Sequence, residues 1–439
     1  MKQIRVIGGG LAGSEAAWQL AKRGFSVELW EMRPKVSTPA HETGNLGELV
    51  CSNSLKANSV TNACGLLKEE MRRLGSCIME AADQTAIPAG GALAVDRERF
   101  SEAITNRIAN HPNITIVRKE FCPDTIEDYT IIATGPLTSD NLCSLLRREL
   151  GSDFLSFFDA SAPIVDGETI DDTKCFFASR YGAGEGDYIN CPMTKEEYLA
   201  FVDALTHAQV AEVHGFEKSM VFEGCMPIEV LAQRGEETLR YGPLKAAGLK
   251  LPDGSMPYAV VQLRAENAQK SMYNLVGFQT HLTFGEQKRV FRMIPALEHA
   301  EFFRYGVMHR NTYIDSPRLL DASFALKKNE TIFIAGQLSG VEGYVESAAS
   351  GLLAGLFLAQ KMITGKTDAL PLETMCGALA SYISNPGVTD FQPMNANFGI
   401  IPSLEGKMKK QQKYEKYAER SLEKLDQYQK EHKELFERK

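Results

Sequence analysis

Hydrophobic and polar positions follow two different periods at the start of the chain. The stretch IRVI at 4–7 is mostly apolar and runs into three glycines, after which apolar residues recur at helical spacing through LAGSEAAWQLAKRG. A second apolar stretch, VELWE at 27–31, follows shortly afterwards. A short strand, a glycine-rich turn, a helix and a second strand together predict a βαβ unit over residues 4–31.

The glycines of this unit have the spacing of a dinucleotide-binding turn. Gly8, Gly10 and Gly13 supply the pattern G-x-G-x-x-G. The first permits a tight turn, the second lets the backbone approach a pyrophosphate, and the third permits close packing of the helix. Glu31, at the end of the second strand, is placed to accept hydrogen bonds from a ribose. This segment alone leaves FAD, NAD and S-adenosylmethionine open as ligands.

Two later segments distinguish between these cofactors. The segment DYTIIATGP at 128–136 resembles a strand that passes beside the dinucleotide in flavoproteins of the glutathione reductase type, and TIFIAGQLSGVEGYVESAASGLLAG at 331–355 resembles their C-terminal flavin segment. Backbone N–H groups at the start of such a helix can face the pyrimidine edge of the flavin. A second strand-linked G-x-G-x-x-G is missing from the sequence, because Gly182, Gly184 and Gly186 lie in a polar stretch. The resemblance therefore implies FAD, bound in a Rossmann-like α/β fold.

The positions of the three flavin segments predict a discontinuous domain. Residues 1–140 and 326–404 are expected to form a glutathione-reductase-type FAD-binding domain, with residues 141–325 as an inserted α+β substrate domain. The insertion alternates strand-like runs such as YAVVQL and YNLVGF with helical ones such as KEEYLAFVDAL. Residues 405–439 are predicted to form an amphipathic helical tail, which we expect to pack against the body because its charges nearly balance.

Composition places the chain among ordinary globular proteins. Its 439 residues exceed the size at which a single core usually stops growing. Apolar residues make up 44% and charged residues 24%, and the net charge of -8 disfavours a general nucleic-acid coat but not a local basic patch. No apolar run approaches the ~20 residues of a membrane span, and the N-terminus leads into the glycine motif instead of a signal peptide. We expect a cytoplasmic protein without membrane attachment.

Two of the nine cysteines stand in surroundings unlike those of a core residue. Cys51 lies among polar residues in GELVCSNSLKANS, and Cys225 lies between glycine and Met-Pro in FEGCMPIEV. A thiol acts as a nucleophile only as its thiolate, which polar and cationic neighbours favour. The sequence contains no CxxC, HExxH or finger-like spacing and predicts no metal site. With Cys191 in INCPMT undecided, the thiols expected to pack as small hydrophobes are Cys64, Cys77, Cys122, Cys143, Cys175 and Cys376.

Seven motifs, spread over nearly the whole chain, resemble one enzyme family. They are GGGLAGSEAAWQLAKRG, ELVCSNSLKANS, PAGGALAVDRERF, FEGCMPIEV, YGVMHRNTYIDSP, GQLSGVEGYVESAASG and FQPMNANFG. Together they are similar to the folate- and FAD-dependent tRNA (uracil-5-)-methyltransferases of the glucose-inhibited-division-protein-A-like flavoprotein family. The resemblance implies formation of 5-methyluridine (ribothymidine) at uridine 54 in the T-arm of tRNA. It also implies 5,10-methylenetetrahydrofolate as carbon donor and reduced FAD, regenerated by NADH or NADPH, as reductant.

The same resemblance implies roles for individual residues. Uracil C5 is a poor nucleophile until a group adds to C6. By resemblance Cys225 makes that addition, and Cys51 removes the C5 proton or assists carbon transfer. Tyr344, next to the flavin turn, is placed to stack at the flavin face, and His281 or His309 is a candidate partner for the pterin. The residues expected to bind the cofactor are Gly8, Gly9, Gly10, Leu11, Ala12, Gly13, Glu31, Thr134, Gly135, Gly336, Gly343 and Tyr344.

Binding of tRNA requires cations on one face of the protein. The candidates from the sequence are Arg97, Arg99, Arg180, Arg234, Arg240, Lys245, Arg289, Arg292 and Arg310.

Three rival functions remain beside the methyltransferase. The first is the related flavoprotein that installs carboxymethylaminomethyl groups on wobble uridine and normally carries a further C-terminal helical domain, for which this chain has no room. The second is a small-molecule flavin oxidoreductase or hydroxylase with structural cysteines. The third is a non-catalytic RNA-binding flavoprotein. The resemblance along the whole chain favours the methyltransferase.

Overall fold

A computed structural model describes residues 3–437, apart from 39, 127, 152–154, 161, 181–185, 212–225, 268, 307, 389–390 and 407. The strands, in chain order, are β1 (Ile4–Ile7), β2 (Val27–Trp30), β3 (Ser54–Ala57), β4 (Ala86–Ile87), β5 (Ala92–Val95), β6 (Ile114–Val117), β7 (Tyr129–Ile132), β8 (Leu155–Ala160), β9 (Ile164–Asp166), β10 (Phe176–Phe177), β11 (Tyr188–Met193), β12 (Ala259–Ala265), β13 (Met272–Leu275), β14 (Phe302–Arg304), β15 (Met308–Tyr313), β16 (Ala325–Leu326) and β17 (Asn329–Ile334). The helices are α1 (Leu11–Ala21), α2 (Ala63–Arg73), α3 (Cys77–Gln84), α4 (Arg97–Ala109), α5 (Asp140–Leu150), α6 (Lys195–Thr206), α7 (Ile228–Gln233), α8 (Thr238–Tyr241), α9 (Phe284–Phe291), α10 (Ser316–Leu319), α11 (Tyr344–Thr364), α12 (Met375–Ser384), α13 (Lys410–Glu431) and α14 (Lys433–Phe436).

One six-stranded sheet combines strands from distant parts of the chain. Its order is β16-β17-β7-β1-β2-β6, and every neighbouring pair is parallel except β16 and β17. The elements β1, α1 and β2 confirm the predicted βαβ unit, although β2 ends at Trp30 and Glu31 is the first residue beyond it. The strands β1, β2, β7 and β17 all run in the same direction, so the turns that follow them lie at one edge, where open α/β sheets bind their ligands.

Helices α1 and α11 pack against each other with almost no space between their backbones. A Cβ atom on Gly351 would lie 2.1 Å from the carbonyl oxygen of Ala12, and one on Gly355 would lie 2.8 Å from that of Ala16. Only glycine allows this approach, since real Cβ contacts are essentially never so short. The packing holds the C-terminal flavin segment against the first turn of α1.

A second six-stranded sheet is formed entirely by residues 164–304. Its order is β10-β11-β12-β13-β9-β14, with antiparallel neighbours throughout. Strand β12 is buried at every position, because it lies inside the sheet with both faces covered. Phe201, Phe278 and Phe291 pack in the core beside it. The strand predictions for YAVVQL and YNLVGF and the helix prediction for KEEYLAFVDAL are confirmed as β12, β13 and α6.

Two smaller sheets complete the strand topology. One consists of β3, β5 and β4, and the other pairs β8 with β15. Strand β3 begins three residues after Cys51 and pairs with β5, with Ser54 opposite Ala94. The pairing fixes one end of the loop that carries the thiol.

The C-terminal segment packs along the parallel-sheet half. Helix α13 buries Tyr417, Leu425 and Tyr428. At its end, the Nε of Arg23 donates to the carbonyl of Leu435 at 2.9 Å. The charged residues of α13 therefore cover one side of a helix whose other side joins the core. Among the described residues, none of the helices is both long enough and apolar enough to cross a bilayer.

Candidate active site

The glycine turn after β1 has the shape that a bound pyrophosphate requires. Gly8 has a φ of 102°, a backbone conformation that residues with a Cβ rarely adopt, and a Cβ there would lie 2.5 Å from the Ala133 carbonyl. A Cβ on Gly13 would lie 1.7 Å from the carbonyl of Gly8. Gly10 differs, because a Cβ on it would meet nothing within 4 Å. It also precedes α1 without a side-chain cap, so the first N–H groups of the helix are left for an anion.

A cavity opens at this edge of the parallel sheet, lined by the turns that follow β1, β7 and β17. The predicted cofactor residues that line it are Gly8, Gly9, Gly10, Leu11, Ala12, Glu31, Thr134, Gly135, Gly336 and Tyr344. Gly13 and Gly343 do not line it. A cavity beside the glycine turn, with uncapped amides at one helix start, fits the pyrophosphate of FAD.

Sequence analysis missed part of the cavity wall. Residues 119–121 after β6 and residues 136–139 after β7 line it, as do Thr38 and His41 from the segment that follows β2. These residues join recognisable elements and carry no glycine or charge pattern of their own. Only residues 136–139 had a usable signal, since they continue directly from the predicted Ala133-Thr134-Gly135.

Glu31 organises the turn that it was expected to complete. Its Oε2 accepts from the N–H of Gly9 at 2.9 Å, and its Oε1 accepts from the Nε of Arg33 at 3.0 Å. Burial opposes ionisation, but the hydrogen bonds and charge of Arg33 outweigh it, and the pKa of the carboxyl lies below its usual value. The carboxylate thus stays charged and shapes the glycine turn, while its contact with a ribose remains a prediction.

The C-terminal flavin turn leads into the N-terminus of α11. Gly343 precedes the helix with a φ of 116° and offers no side-chain cap. The N–H of Gly336 donates to the Oγ of Ser350 at 2.7 Å, which ties the start of the turn to the helix. Because α11 is 21 residues long and starts at the cavity, its dipole favours negative charge there. The expected contact of this helix start with the pyrimidine edge of the flavin remains a prediction.

Cys51 and Tyr344 meet beside this cavity. The N–H of Cys51 donates to the Tyr344 hydroxyl at 2.8 Å, and the Sγ of Cys51 lies 3.0 Å from the same oxygen. The hydroxyl accepts from the amide, and either the phenol or the thiol can be the donor in its contact with the sulfur. Burial, followed by the proximity of Cys51, raises the pKa of Tyr344 well above its usual value, so the phenol remains a donor. The half-buried thiol therefore has a polar partner, as its polar sequence context predicted.

The other eight cysteines fall into four groups. Cys225 lies outside the described residues. Cys64, Cys77, Cys191 and Cys376 are buried, and burial raises the pKa of each, that of Cys64 to about 11. Cys143 and Cys175 are half-buried. The expectation that Cys122 packs as a core residue was wrong, because its side chain is exposed after β6, on the segment that leaves the sheet.

The two histidines proposed for the pterin have different surroundings. The Nδ1 of His281 lies 2.5 Å from the Oε1 of Glu229. Glu229 belongs to α7, which begins three residues after Cys225, and it is 2% exposed. His309 lies on β15, where its backbone is paired opposite Asp159. Neither position tests the predicted contact with folate, which remains a prediction for both residues.

Several cations suggested for tRNA are engaged inside the protein. Arg97 donates to Glu266 at 2.6 Å, and the guanidinium of Arg292 donates to the Ala300 carbonyl at 2.7 Å. Arg180 donates to Gln262 at 2.8 Å. Guanidiniums used in this way have few donors left for a phosphate. Within the described ranges, no three His, Cys, Asp or Glu side chains are grouped so as to hold a metal ion.

Comparison with known proteins assigns the chain to a family. A family model described as glucose inhibited division protein A matches residues 3–366. A methylenetetrahydrofolate--tRNA-(uracil-5-)-methyltransferase TrmFO from Lactobacillus delbrueckii subsp. bulgaricus is 57% identical over 424 residues, which cover 96% of this chain and 97% of the relative. The protein of the same name from Exiguobacterium sp. is 56% identical over 432 residues, covering 97% and 99%.

The solved structures agree at the level of the fold. The structure of Aquifex aeolicus GidA in its form II crystal matches with a TM-score of 0.70 at 17% identity, over 97% of this chain and 73% of that one. Its form I crystal gives a TM-score of 0.69 at 18% identity, over 99% and 78%. The predicted Rossmann-like FAD-binding architecture is therefore confirmed. With the long family match and relatives above half identity, the chain belongs to the glucose inhibited division protein A family and, within it, to the methylenetetrahydrofolate--tRNA-(uracil-5-)-methyltransferases.

Proposed function

We propose that this protein transfers the methylene carbon of 5,10-methylenetetrahydrofolate to C5 of a uracil in tRNA and completes the methyl group with reduced FAD. The names of relatives that align with nearly the whole chain support this activity. The observation that carries it is the contact of Cys51 with Tyr344 at a cavity suited to a dinucleotide. A protonated phenol beside a thiol supplies a donor that stabilises thiolate next to the flavin site.

The reaction requires two different tasks at the uracil. A nucleophile must add to C6 so that C5 becomes reactive, and a base must remove the proton that leaves C5 when the new carbon is attached. The bond from the nucleophile to C6 breaks again when the C5–C6 double bond re-forms, which returns the nucleophile to its starting state. We assign the addition to Cys225 and the removal of the proton to Cys51. The surroundings of Cys51 support its part, since its thiol is half-buried and hydrogen-bonded. Bound FAD, once reduced, supplies the hydride that converts the transferred methylene to methyl.

The proposal extends to the uridine that is modified, the reductant of the flavin and the cellular compartment. The substrate site is the T-arm uridine 54, and NADH or NADPH regenerates the reduced flavin. The reaction takes place in the cytoplasm, where tRNA is modified.

Residues 1–140 with 326–404 form the FAD domain, residues 141–325 the substrate domain, and residues 405–439 the helical tail. The separate sheets formed by the first two sets of residues support this division.

One assay tests the proposal directly. Purified protein is incubated with an unmodified tRNA transcript, methylenetetrahydrofolate and NADPH or NADH, and the digested RNA is analysed by mass spectrometry for 5-methyluridine. We expect the product with the wild type, and its loss in Cys225→Ala and Cys51→Ala proteins that retain bound flavin. The control is Cys175→Ala, a half-buried thiol at the edge of the second sheet, which should methylate normally.

Three outcomes would contradict the proposal. Carboxymethylaminomethyluridine in place of 5-methyluridine would move the chain to the wobble-uridine reaction. Flavin without any modification of the transcript would favour a small-molecule oxidoreductase. Full methylation by Cys225→Ala would remove the assignment of the nucleophile.

A further inference from the structure

The loop that carries Cys51 is bound by an arginine from the second sheet. Arg264, on β12, donates from its Nη2 to the Oγ of Ser52 at 2.7 Å and from its Nε to the Oδ1 of Asn53 at 2.9 Å. Its side chain is buried, with 7% of the residue exposed. The two residues that follow the thiol are therefore fixed by one guanidinium.

A second arginine binds the same loop from the other side of the thiol. Arg97, the first residue of α4, donates from its Nη1 to the carbonyl of Leu49 at 2.7 Å. Its Nε and Nη2 donate to the Oε2 of Glu266 at 2.9 and 2.6 Å. Glu266 lies on the same chain segment as Arg264, two positions further on, and is 2% exposed. Two guanidiniums and one carboxylate thus surround the loop.

The charges of this group do not balance. Among the described residues, two positive guanidiniums face one negative carboxylate, which leaves one excess positive charge. Glu266 is hydrogen-bonded to Arg97, whereas Arg264 is hydrogen-bonded to the neutral side chains of Ser52 and Asn53. A buried cation whose hydrogen-bond partners are neutral is costly, since burial disfavours the charged form. Burial accordingly lowers the pKa of Arg264, and attraction to Glu266, Tyr188 and Cys51 opposes that shift.

The titratable and charged groups that face Cys51 come from four elements. Tyr344 approaches from α11 as a neutral donor, and Arg97 approaches from α4. Arg264 and Glu266 approach from the β12 segment. Glu48, in the same loop as the thiol, is already paired with Arg33 at 2.9 Å. Counted over these groups of the described chain, the local excess is positive, and an ionised sulfur at position 51 would neutralise it.

We propose that Arg264 is a positioning residue that fixes the Cys51 loop and acts as the counter-charge of a Cys51 thiolate. This inference rests on the proposed function only in that Cys51 is given a chemical role there. It assigns to the residue 141–325 segment a part in the reactivity of a cysteine near the flavin turn. Without Arg264 the sulfur loses a nearby cation, and the loop loses two hydrogen bonds.

The test measures ionisation of the thiol and needs no turnover. The rate at which iodoacetamide alkylates Cys51 is followed from pH 5.5 to 10 in the flavin-containing protein, by mass spectrometry of the peptide that carries it. In the wild type we expect the midpoint of this pH profile, at which the rate is half its maximum, to lie below about 8.5, the pKa of a free thiol. We expect the midpoint of Arg264→Gln to rise by about one unit or more, while Arg264→Lys, which keeps the charge, stays close to the wild type.

The matched control is Arg292→Gln. It removes a half-buried guanidinium that donates to the Ala300 carbonyl, and it should leave the midpoint of Cys51 unchanged. A wild-type midpoint at or above that of a free thiol overturns the proposal, whether or not the variants fold. An unshifted midpoint in a folded, flavin-containing Arg264→Gln protein overturns it as well.

The methylation assay distinguishes failure of the counter-charge role of Arg264 from failure of the proposed function. If Cys51→Ala still makes 5-methyluridine, the role of Cys51 in the proposed function fails, while the ionisation of the thiol stands or falls by alkylation alone. If Arg264→Gln leaves the alkylation profile unchanged and Cys51→Ala abolishes product, the counter-charge fails and the proposed function is unaffected.

Discussion

The hydroxyl oxygen of Tyr344 lies 3.0 Å from the sulfur of Cys51, although 293 positions separate the two residues in the chain. The contact joins the N-terminus of α11 to the loop before β3. It brings the first residue of the flavin helix together with a thiol that the sequence had singled out by its polar surroundings. The geometry gives the phenol two functions, as acceptor for the Cys51 amide and as donor to the sulfur.

Replacing Tyr344 with Phe should therefore lower the reactivity of the Cys51 thiol without disrupting the fold. The variant loses the hydroxyl's contact with the sulfur and its hydrogen bond with the Cys51 N–H, each a loss of about 1 kcal/mol. We expect formation of 5-methyluridine to slow by about tenfold or more and the alkylation midpoint of Cys51 to rise. Tyr198→Phe, which removes a hydroxyl bonded to the Glu236 carbonyl away from the cavity, serves as control and should keep both values. Equal rates in the two variants would argue that the hydroxyl of Tyr344 is dispensable.

Replacing Gly351 with Ala should separate α11 from α1. The added Cβ would lie 2.1 Å from a backbone carbonyl, which cannot move without displacing a helix. We expect a loss of about 2 kcal/mol or more of the free energy of unfolding and loss of bound flavin, measured by thermal unfolding and by the flavin absorbance of the purified protein. The control Gly285→Ala is in helix α9, where a Cβ meets nothing within 4 Å, and it should be neutral or slightly stabilising. A Gly351→Ala protein with full flavin would show that the two helices tolerate a wider spacing.

Glu31 should give the holoprotein an acid-sensitive contribution to stability. The folded state lowers the pKa of this carboxyl, so its contribution is fully present above the unfolded value of about 4.3 and is lost as the pH falls through the lower folded value. Urea unfolding of the wild type and of Glu31→Gln, compared between pH 3 and 7, should show a difference that is constant above about pH 5 and narrows below it. A difference that grows on acidification would contradict the assignment.

A substitution at Ser421 tests whether packing of the C-terminal helix against the body stabilises the protein. Its hydroxyl donates to the Oε1 of Glu70, a buried carboxylate that also accepts from the N–H groups of Met375 and Cys376. Ser421→Ala should lower the free energy of unfolding by about 1–2 kcal/mol without changing the affinity for tRNA. Ser144→Ala, on an exposed face of α5, should change stability by less than about 0.5 kcal/mol. Weaker tRNA binding by Ser421→Ala at unchanged stability would instead favour a role for the tail in RNA contact.

The parts of the fold that could be predicted from the sequence are those whose conformation depends on residues close together in the chain. The dinucleotide turn needs glycines at fixed spacing, and the structure has Gly8 at positive φ and Gly13 against a carbonyl for that reason. Strand β12 was identifiable from YAVVQL because β-branched residues fill a buried strand. Helix α11 was expected because residues 331–355 resemble the strand, Gly-rich turn and helix of the C-terminal flavin segment in flavoproteins of the glutathione reductase type.

The rest depended on contacts between distant positions. Nothing in the residues around Arg97 indicates that its guanidinium turns inward to Glu266, so its charge alone suggested a phosphate contact. The residues next to Cys122 and Cys64 in the sequence do not reveal whether these thiols are buried. Cys122 is exposed and Cys64 is buried, because burial depends on which element packs over the side chain. The bond between Arg264 and Ser52 joins the second six-stranded sheet to the loop before β3 and has no local signal at either end.

The strand order of the parallel sheet has a consequence for biosynthesis. Strand β7 gains its neighbour β17 only after the whole segment between them has been translated, and α11 follows later still. Until then the nascent chain exposes an open strand edge and an incomplete core, both of which favour association with other chains. Flavin uptake is therefore expected only after α11 has been translated.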